Sequence, residues 1–404
     1  MMPTSSPTRR HADADAPAEL ASAVIVRRRA DLIALSHDIH AEPELAFREH
    51  RSCAKTQALA AERGFAITSA PGGLDTAFRA DYGSGDLVVA VCAEYDALPG
   101  LGHACGHNII AASAVGAALA LAEVADRLGL SVVLMGTPAE ESGGGKVLLL
   151  KAGVFDDVAA AVMIHPGPVD IAAARSLALT EVAVDYRGRE SHAAVAPHLG
   201  INAADAVTVS QVAIGLLRQQ LAPGQLVHGI VTEGGLATNV IPGRAAMQYT
   251  MRATDRASLR ALEERVADCF LAGAIATGCD YRVNETAPTY EELRPDPWLS
   301  AVFRAEMVRC GRTPVSDELA AALPLGSTDM GNVTQALPGI HPIVGIDSGG
   351  ASLHQPGFAA AAVGSSADSA VIDGATTLAR TVIQLAETPA ERERVLRARA
   401  ERAA

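Results

Sequence analysis

The sequence predicts an α/β protein in which a mostly parallel sheet flanked by helices is interrupted by an inserted α+β unit of the ferredoxin-like kind. Three observations point there. Short continuous apolar runs alternate with helical patterns up to residue 164. Strict apolar–polar alternation replaces them between residues 178 and 288. Helical periodicity then returns and runs to the C-terminus.

Residues 21–63 read as two helices around the turn HAEPE at 40–44, with Leu32, Leu35 and Ile39 at helical spacing. Residues 86–92 (DLVVAVC) and 130–136 (LSVVLMG) are short, nearly continuous apolar runs, as suits strands buried on both faces. Between them Asn108 is placed to cap an apolar helix over 109–128, and a third buried strand covers 159–164. Residues 179–186, 225–232 and 245–253 alternate like half-exposed strands, and 280–285 is a last one. Helical patterns at 202–219 and 259–276 complete a β-α-β-β-α-β order. After residue 290 come helices, a Gly-rich stretch at 326–354, a helix at 369–386 and a charged, exposed helix at 388–404. The implied division is a discontinuous first domain, 19–177 and 289–404, an inserted domain, 178–288, and a disordered tail, 1–18.

At 404 residues and 49% hydrophobic content the chain exceeds one ordinary core, consistent with two domains. A net charge of −13 without a basic patch, and 3% aromatic residues, exclude nucleic acid as a partner. Apolar stretches such as 109–124 are Ala-rich and broken by Ser and Gly, so no membrane span is expected. Arg9 and Arg10 are followed by acidic and small residues where an exported chain needs an apolar run, so a cytoplasmic location is expected. The six scattered cysteines are then reduced thiols, five of them core packing residues. Cys105 stands apart.

Cys105 and His107 are two residues apart in the Gly-rich stretch GHACGHN, 102–108, so sulfur and imidazole can face one point. Two ligands do not make a site. Glu140 and Glu141, at the end of the strand 130–136 and before a run of glycines, strengthen the metal reading, because adjacent buried carboxylates are hard to ionise without a cation. One can bind a metal while the other takes a proton from water. A solvated surface pair is the alternative. His165 follows the third strand and His354 sits in the Gly-rich tail, each an ordinary structural histidine if taken singly. Together, Cys105, His107, Glu141, His165 and His354 offer one sulfur, three nitrogens and a carboxylate, a set suited to zinc or a similar borderline ion rather than to calcium or magnesium. Asp96 can accept an N–H from a histidine ligand or steady the base, and it can equally cap a turn.

Six stretches, AEYDALPGLGHACGHN (93–108), GTPAEESGGG (136–145), IHP (164–166), SHAA (191–194), NVIP (239–242) and LHQPGF (353–358), resemble the signature blocks of the zinc-dependent aminoacylase/carboxypeptidase family. Within it the chain is most similar to the amidohydrolase branch of p-aminobenzoyl-glutamate hydrolase subunits, N-acyl-amino-acid hydrolases and aminoacylase-like dipeptidases. The blocks keep the family's order and spacing, and the resemblance covers residues 32–386. It implies Cys105, His107, Glu141, His165 and His354 as ligands of two divalent metal ions, zinc first, with cobalt and manganese as alternatives. It implies Glu140 as general base, and an inserted domain that serves as lid and dimer contact, so a homodimer or larger homo-oligomer. His192 would polarise the scissile carbonyl, often in the partner subunit's site, while Asn239 and Arg252 would receive the substrate carboxylate. The implied substrates are small amides: N-acyl amino acids, aminobenzoyl-glutamate-like compounds or dipeptides. Many relatives carry Asp where this chain has Asn108, and GSTD, 326–329, also looks family-like in a supporting role. Two rivals stand against this reading. One is a metal-stabilised binding or scaffold protein without turnover. The other is a cysteine hydrolase, disfavoured because Cys105 and His107 are too close in sequence to act as nucleophile and base.

Overall fold

The computed structural model describes residues 16–323 and 326–402. The chain begins with α1 (Pro17–Ala41) and α2 (His50–Glu62), followed by β1 (Ala66–Ser69), β2 (Phe78–Gly83) and β3 (Leu87–Ala93). Then come α3 (His107–Leu128), β4 (Leu130–Gly136), α4 (Gly145–Lys151), β5 (Ala160–Val162) and β6 (His165–Gly167). A second group follows: β7 (Ala178–Arg187), α5 (Ala203–Leu217), β8 (Leu226–Glu233), β9 (Arg244–Ala253), α6 (Arg256–Thr277) and β10 (Asp280–Glu285). The chain closes with α7 (Pro297–Arg309), α8 (Asp317–Ala322), α9 (Met330–Ala336), β11 (Gly339–Ile340), β12 (Ile343–Gly345), α10 (Pro356–Ala361), α11 (Ser365–Glu387) and α12 (Pro389–Arg402).

One sheet has the order β1-β2-β4-β3-β5-β11, with β3–β4, β3–β5 and β5–β11 parallel and the β1 and β2 pairings antiparallel. The antiparallel edge is additional to the expected strands, because 66–69 and 78–83 are short and partly polar. Alternation along β3 splits the core in two. Leu87, Val89, Val91 and Ala93 pack under α1, α3 and α11, while Ala90 and Cys92 face a second apolar layer with Leu149 and Val333. Helices therefore cover both faces.

The second sheet, β10-β7-β9-β8, is antiparallel throughout and has its own apolar core against α5 and α6. Its strands, numbered within the group, lie in the order 4-1-3-2, the ferredoxin-like arrangement. Along β7, Val182, Val184 and Tyr186 enter this core, and Glu181 and Asp185 take the opposite face. Asn202 caps α5 by accepting from the Ala204 N–H, and Asp255 caps α6 by accepting from the Ser258 N–H.

Several expectations need correcting. Asn108 does not cap the long helix, which starts one residue earlier with Gly106 at the cap position. Asn108 instead donates to Ser36 Oγ at 2.8 Å and to Ala362 O at 2.9 Å, tying α3 to α1 and to the end of α10. A carbonyl only accepts, so an amide fits here where a carboxylate does not. Helix α3 is long and apolar enough to cross a membrane by length and composition, contrary to the sequence expectation, but it is the buried central helix of the first core. Helix α12 is not simply exposed. Val395 is buried, and Arg392 donates to the last carbonyls of α3, at Leu128 and Gly129. Pro17 and Ala18, expected in a disordered tail, open α1, and the rest of that tail up to residue 15 lies outside the described residues. The cysteines are all free, and Cys310 is only half-buried.

Candidate metal centre and active site

β3 and β4 are parallel neighbours in register from Leu87↔Leu130 to Ala93↔Gly136, so the segments after them leave the sheet at one level. β5 lies on the other side of β3, and the chain turns from it into β6. Parallel strands thus deliver Glu94–Asn108, Thr137–Lys146 and His165 to one rim, where such sheets bind ligands.

Local backbone geometry aims the side chains. Gly106 has φ 74°, and a Cβ there would lie 2.6 Å from the Pro166 ring, so only glycine lets the Cys105–His107 segment lie this close to the His165 segment. Ala139 takes φ 61°, a left-handed conformation costing about 1–2 kcal/mol for a residue with a Cβ. Its N–H donates to Glu49 Oε1 at 2.9 Å and its carbonyl accepts from the Gly144 N–H at 2.9 Å. This turn sends Glu140 and Glu141 back toward the sheet. His354 is also left-handed, φ 64°, and its N–H donates to Ala104 O at 3.0 Å, bringing the tail histidine beside Cys105.

The five candidate ligands come together as two overlapping triads. Donor atoms of Cys105, His107 and His165 lie within 4.8 Å of one another, and so do those of Cys105, Glu141 and His354. Cys105 Sγ belongs to both, 3.2 Å from His354 Nε2. Glu141 spans the groups, with Oε1 3.8 Å from His107 Nε2 and Oε2 3.5 Å from His354 Nε2. His107 Nδ1 donates to Asp96 Oδ1 at 3.0 Å, leaving Nε2 toward the cluster, while Asp96 Oδ2 accepts the Glu141 N–H at 2.9 Å. His165 Nδ1 lies 2.6 Å from the Pro166 carbonyl, which can only accept, so Nε2 is its free face.

The fit to cations rests on orphaned atoms. His107 Nε2 and Glu141 Oε1 are buried without a hydrogen-bond partner among the described residues, as is Glu94 Oε2. Burial, with Glu94 and Glu141 close by, pushes the Glu140 carboxyl well above the carboxylate range. Burial also raises the Cys105 thiol and depresses His165 to about 4. His107 is different: burial opposes its cation, but Asp96, Cys105 and Glu94 together outweigh burial and raise it well above the ordinary imidazole range. A divalent ion at Nε2 would replace the proton there and stabilise the anionic forms of Cys105, Glu140 and Glu141 together. One sulfur, imidazoles and carboxylate oxygens form a set for a borderline ion. Replacing Asp96 by Asn should weaken metal binding about 10- to 100-fold in a competitive chelator titration, because Asp96 orients both His107 and Glu141.

A cleft of about 280 Å³ opens over the cluster. It is lined by Cys105, Glu140, Glu141, His165 and His354 and also, from the second sheet, by Leu179, Glu181 and Arg252. Arg252 Nη1 donates to Ser327 Oγ at 2.8 Å. His192 and Asn239 stand exposed on the second unit and do not line this cleft.

Sequence reasoning passed over a buried ion triad beneath the cluster. The Lys146 ammonium, fully buried, donates to Glu94 Oε1 and, at 2.8 Å, to Asp329 Oδ1; the Lys146 N–H donates to Asp329 Oδ2, also at 2.8 Å. This gives the GSTD stretch its supporting role. Glu94 Oε2 lies 3.6 Å from His107 Nε2, so the triad abuts the candidate metal centre. His341 was also missed: buried with both ring nitrogens unpartnered, it lines the cleft and meets His165 edge-on at 5.6 Å between ring centroids. The signal for Lys146 and Asp329 was weak, since a single lysine or aspartate beside glycines reads as a loop residue.

Comparison with known proteins agrees with this architecture. The model of Peptidase family M20/M25/M40 matches residues 90–384. The Xaa-Arg dipeptidase of Mus musculus is 38% identical over 373 residues, covering 88% of this chain and 86% of that protein. One of the p-aminobenzoyl-glutamate hydrolase subunits of Escherichia coli is 33% identical over 264 residues, 60% of this chain and 55% of that one. The crystal structure of a dinuclear metal-binding peptidase of Bacillus subtilis superimposes with a TM-score of 0.68 at 23% identity, covering 90% of this chain and 99% of that one. The chain belongs to peptidase family M20/M25/M40 and is a hydrolase of the metallopeptidase and amidohydrolase type.

Proposed function

We propose that this chain is a dinuclear metal-dependent dipeptidase that hydrolyses the amide bond of dipeptides, with a basic C-terminal residue as the preferred leaving group. The observation that carries the hydrolytic part is the pair of triads sharing Cys105, with the Glu140 carboxylate in the same cleft. The substrate class rests on the likeness to the Xaa-Arg dipeptidases, which extends over most of both chains. Cys105, His107, Glu141, His165 and His354 would hold two divalent cations, which would supply Lewis acidity and make water a better nucleophile.

The remaining work falls to the protein. Glu140 accepts the proton of the attacking water and returns it to the leaving nitrogen. Asp96 fixes the ring of His107 and the backbone of Glu141. Arg252 receives the substrate's carboxylate, a contact Arg makes well because its fork matches two oxygens. His192 and Asn239 lie outside their own chain's cleft, so in this reading two chains pair and His192 stabilises the oxyanion in the partner's site. A His192→Ala variant should lose kcat with metal content unchanged, and unimpaired kcat would remove that role.

The test is a hydrolysis assay of the metal-resupplied protein on dipeptides, N-acyl amino acids and aminobenzoyl-glutamate, with a chelator control. Dipeptide cleavage lost on chelation and restored by zinc, cobalt or manganese is expected. Bound metal without turnover of any of these would favour a silent binding protein instead.

A further inference from the structure

The cleft carries charges that the metal cluster does not use. Glu181 of β7 and Arg252 of β9 both line it. Their strands are antiparallel neighbours in which Glu181 faces Thr250 and Leu179 faces Arg252, so Glu181 and Arg252 are diagonal neighbours on one face of the sheet. Opposite charges at that spacing can pair, yet these do not. Arg252 donates to the Ser327 hydroxyl at 2.8 Å, and Glu181 Oε1 accepts from the Thr250 hydroxyl at 3.2 Å. Among the described residues neither takes part in an ion pair within 4.0 Å. Hydroxyl partners hold the two charges apart and leave both facing the cleft.

A cation and an anion separated in this way complement a ligand carrying the inverse pair. The C-terminal residue of a dipeptide brings a carboxylate for Arg252. If its side chain is basic, it also brings a guanidinium or ammonium for Glu181. An acidic side chain in the same position meets the Glu181 carboxylate as a like charge.

We propose that Glu181 is the specificity-determining residue of this cleft, reading the cationic side chain of a substrate's C-terminal residue while Arg252 holds its carboxylate. The inference rests on the dipeptidase reading above and deepens it by assigning the side-chain subsite. A guanidinium presents parallel donors to a carboxylate, so arginine is the best-matched side chain and lysine the next. The same subsite disfavours aminobenzoyl-glutamate, whose amino acid is acidic, and so separates the two activities named among the relatives.

Steady-state kinetics of the full-length, zinc-loaded protein on Ala-Arg, Ala-Lys, Ala-Leu and Ala-Glu test this, with Glu181→Gln and Glu181→Lys beside the wild type. Glu181 is half-exposed on a sheet surface, so neither change disturbs a core. Glu181→Gln should lower kcat/KM for Ala-Arg and Ala-Lys about 10- to 100-fold, mainly through KM, and leave Ala-Leu nearly unchanged. Glu181→Lys should make Ala-Glu the better substrate than Ala-Arg. Equal loss on Ala-Arg and Ala-Leu, or no loss on either, overturns the assignment. Failure of the underlying reading looks different: the wild type would cleave none of the four dipeptides while hydrolysing aminobenzoyl-glutamate, and the subsite would fall with it.

Discussion

Glu140→Gln is expected to lower kcat by about 10³-fold or more while leaving the fold and the bound metal intact. Glu140 lines the cleft with only a small part of its surface exposed, and Glu94, Glu141 and burial all disfavour its charge. A carboxylate so placed is a poor structural ion and a strong base once cations offset its neighbours. Its backbone is fixed independently of the side chain, because the Tyr290 hydroxyl donates to the Glu140 carbonyl at 2.7 Å. Glutamine keeps the shape and cannot accept the proton. Metal stoichiometry and thermal unfolding unchanged, with turnover nearly abolished, is the expected pattern. A variant retaining wild-type kcat would remove Glu140 as the base.

The second large effect concerns stability. Lys146→Met should destabilise the protein by about 3–5 kcal/mol at neutral pH, because it leaves Glu94 and Asp329 buried without their cation. The pH dependence identifies the cause. Burial already lifts Asp329 to about 6 against the pull of Lys146, and without Lys146 that carboxyl should titrate higher still in the folded state. A group whose folded pKa is raised gives its full stability below the unfolded pKa and loses it as pH rises through the folded one. The variant should therefore come close to wild type near pH 4 and fall behind progressively toward neutral pH, read as denaturation midpoints. A Glu94→Gln, Asp329→Asn, Lys146→Met triple variant should recover much of the loss, since replacing a whole buried ion group is far less costly than breaking it. A pH-independent deficit would assign the effect to packing.

The legible parts of the fold were those where one strong signal sets the structure. The apolar runs of β3 and β4 mark strands buried on both faces, and alternation along β7 and β9 marks a sheet with one wet face. The candidate ligands were legible because Cys, His and paired Glu beside glycines at strand ends are unusual in combination. Contacts between segments distant in sequence were not. Asn108 reads as a helix cap until Ala362, 254 residues away, is known to accept from it. Lys146 reads as a loop lysine until Glu94 and Asp329 close around it. Glu181 reads as the outward half of an alternating strand, and only the position of that sheet beside the metal rim makes it part of the cleft.

Cys105 belongs to both ligand triads, and each triad would hold one divalent cation. Anomalous diffraction at the zinc edge, on crystals of protein purified without chelators and resupplied with zinc, tests this directly. The predicted result is two peaks, one among Cys105, His107 and His165 and one among Cys105, Glu141 and His354. Fully supplied crystals with no peak in either triad would contradict it.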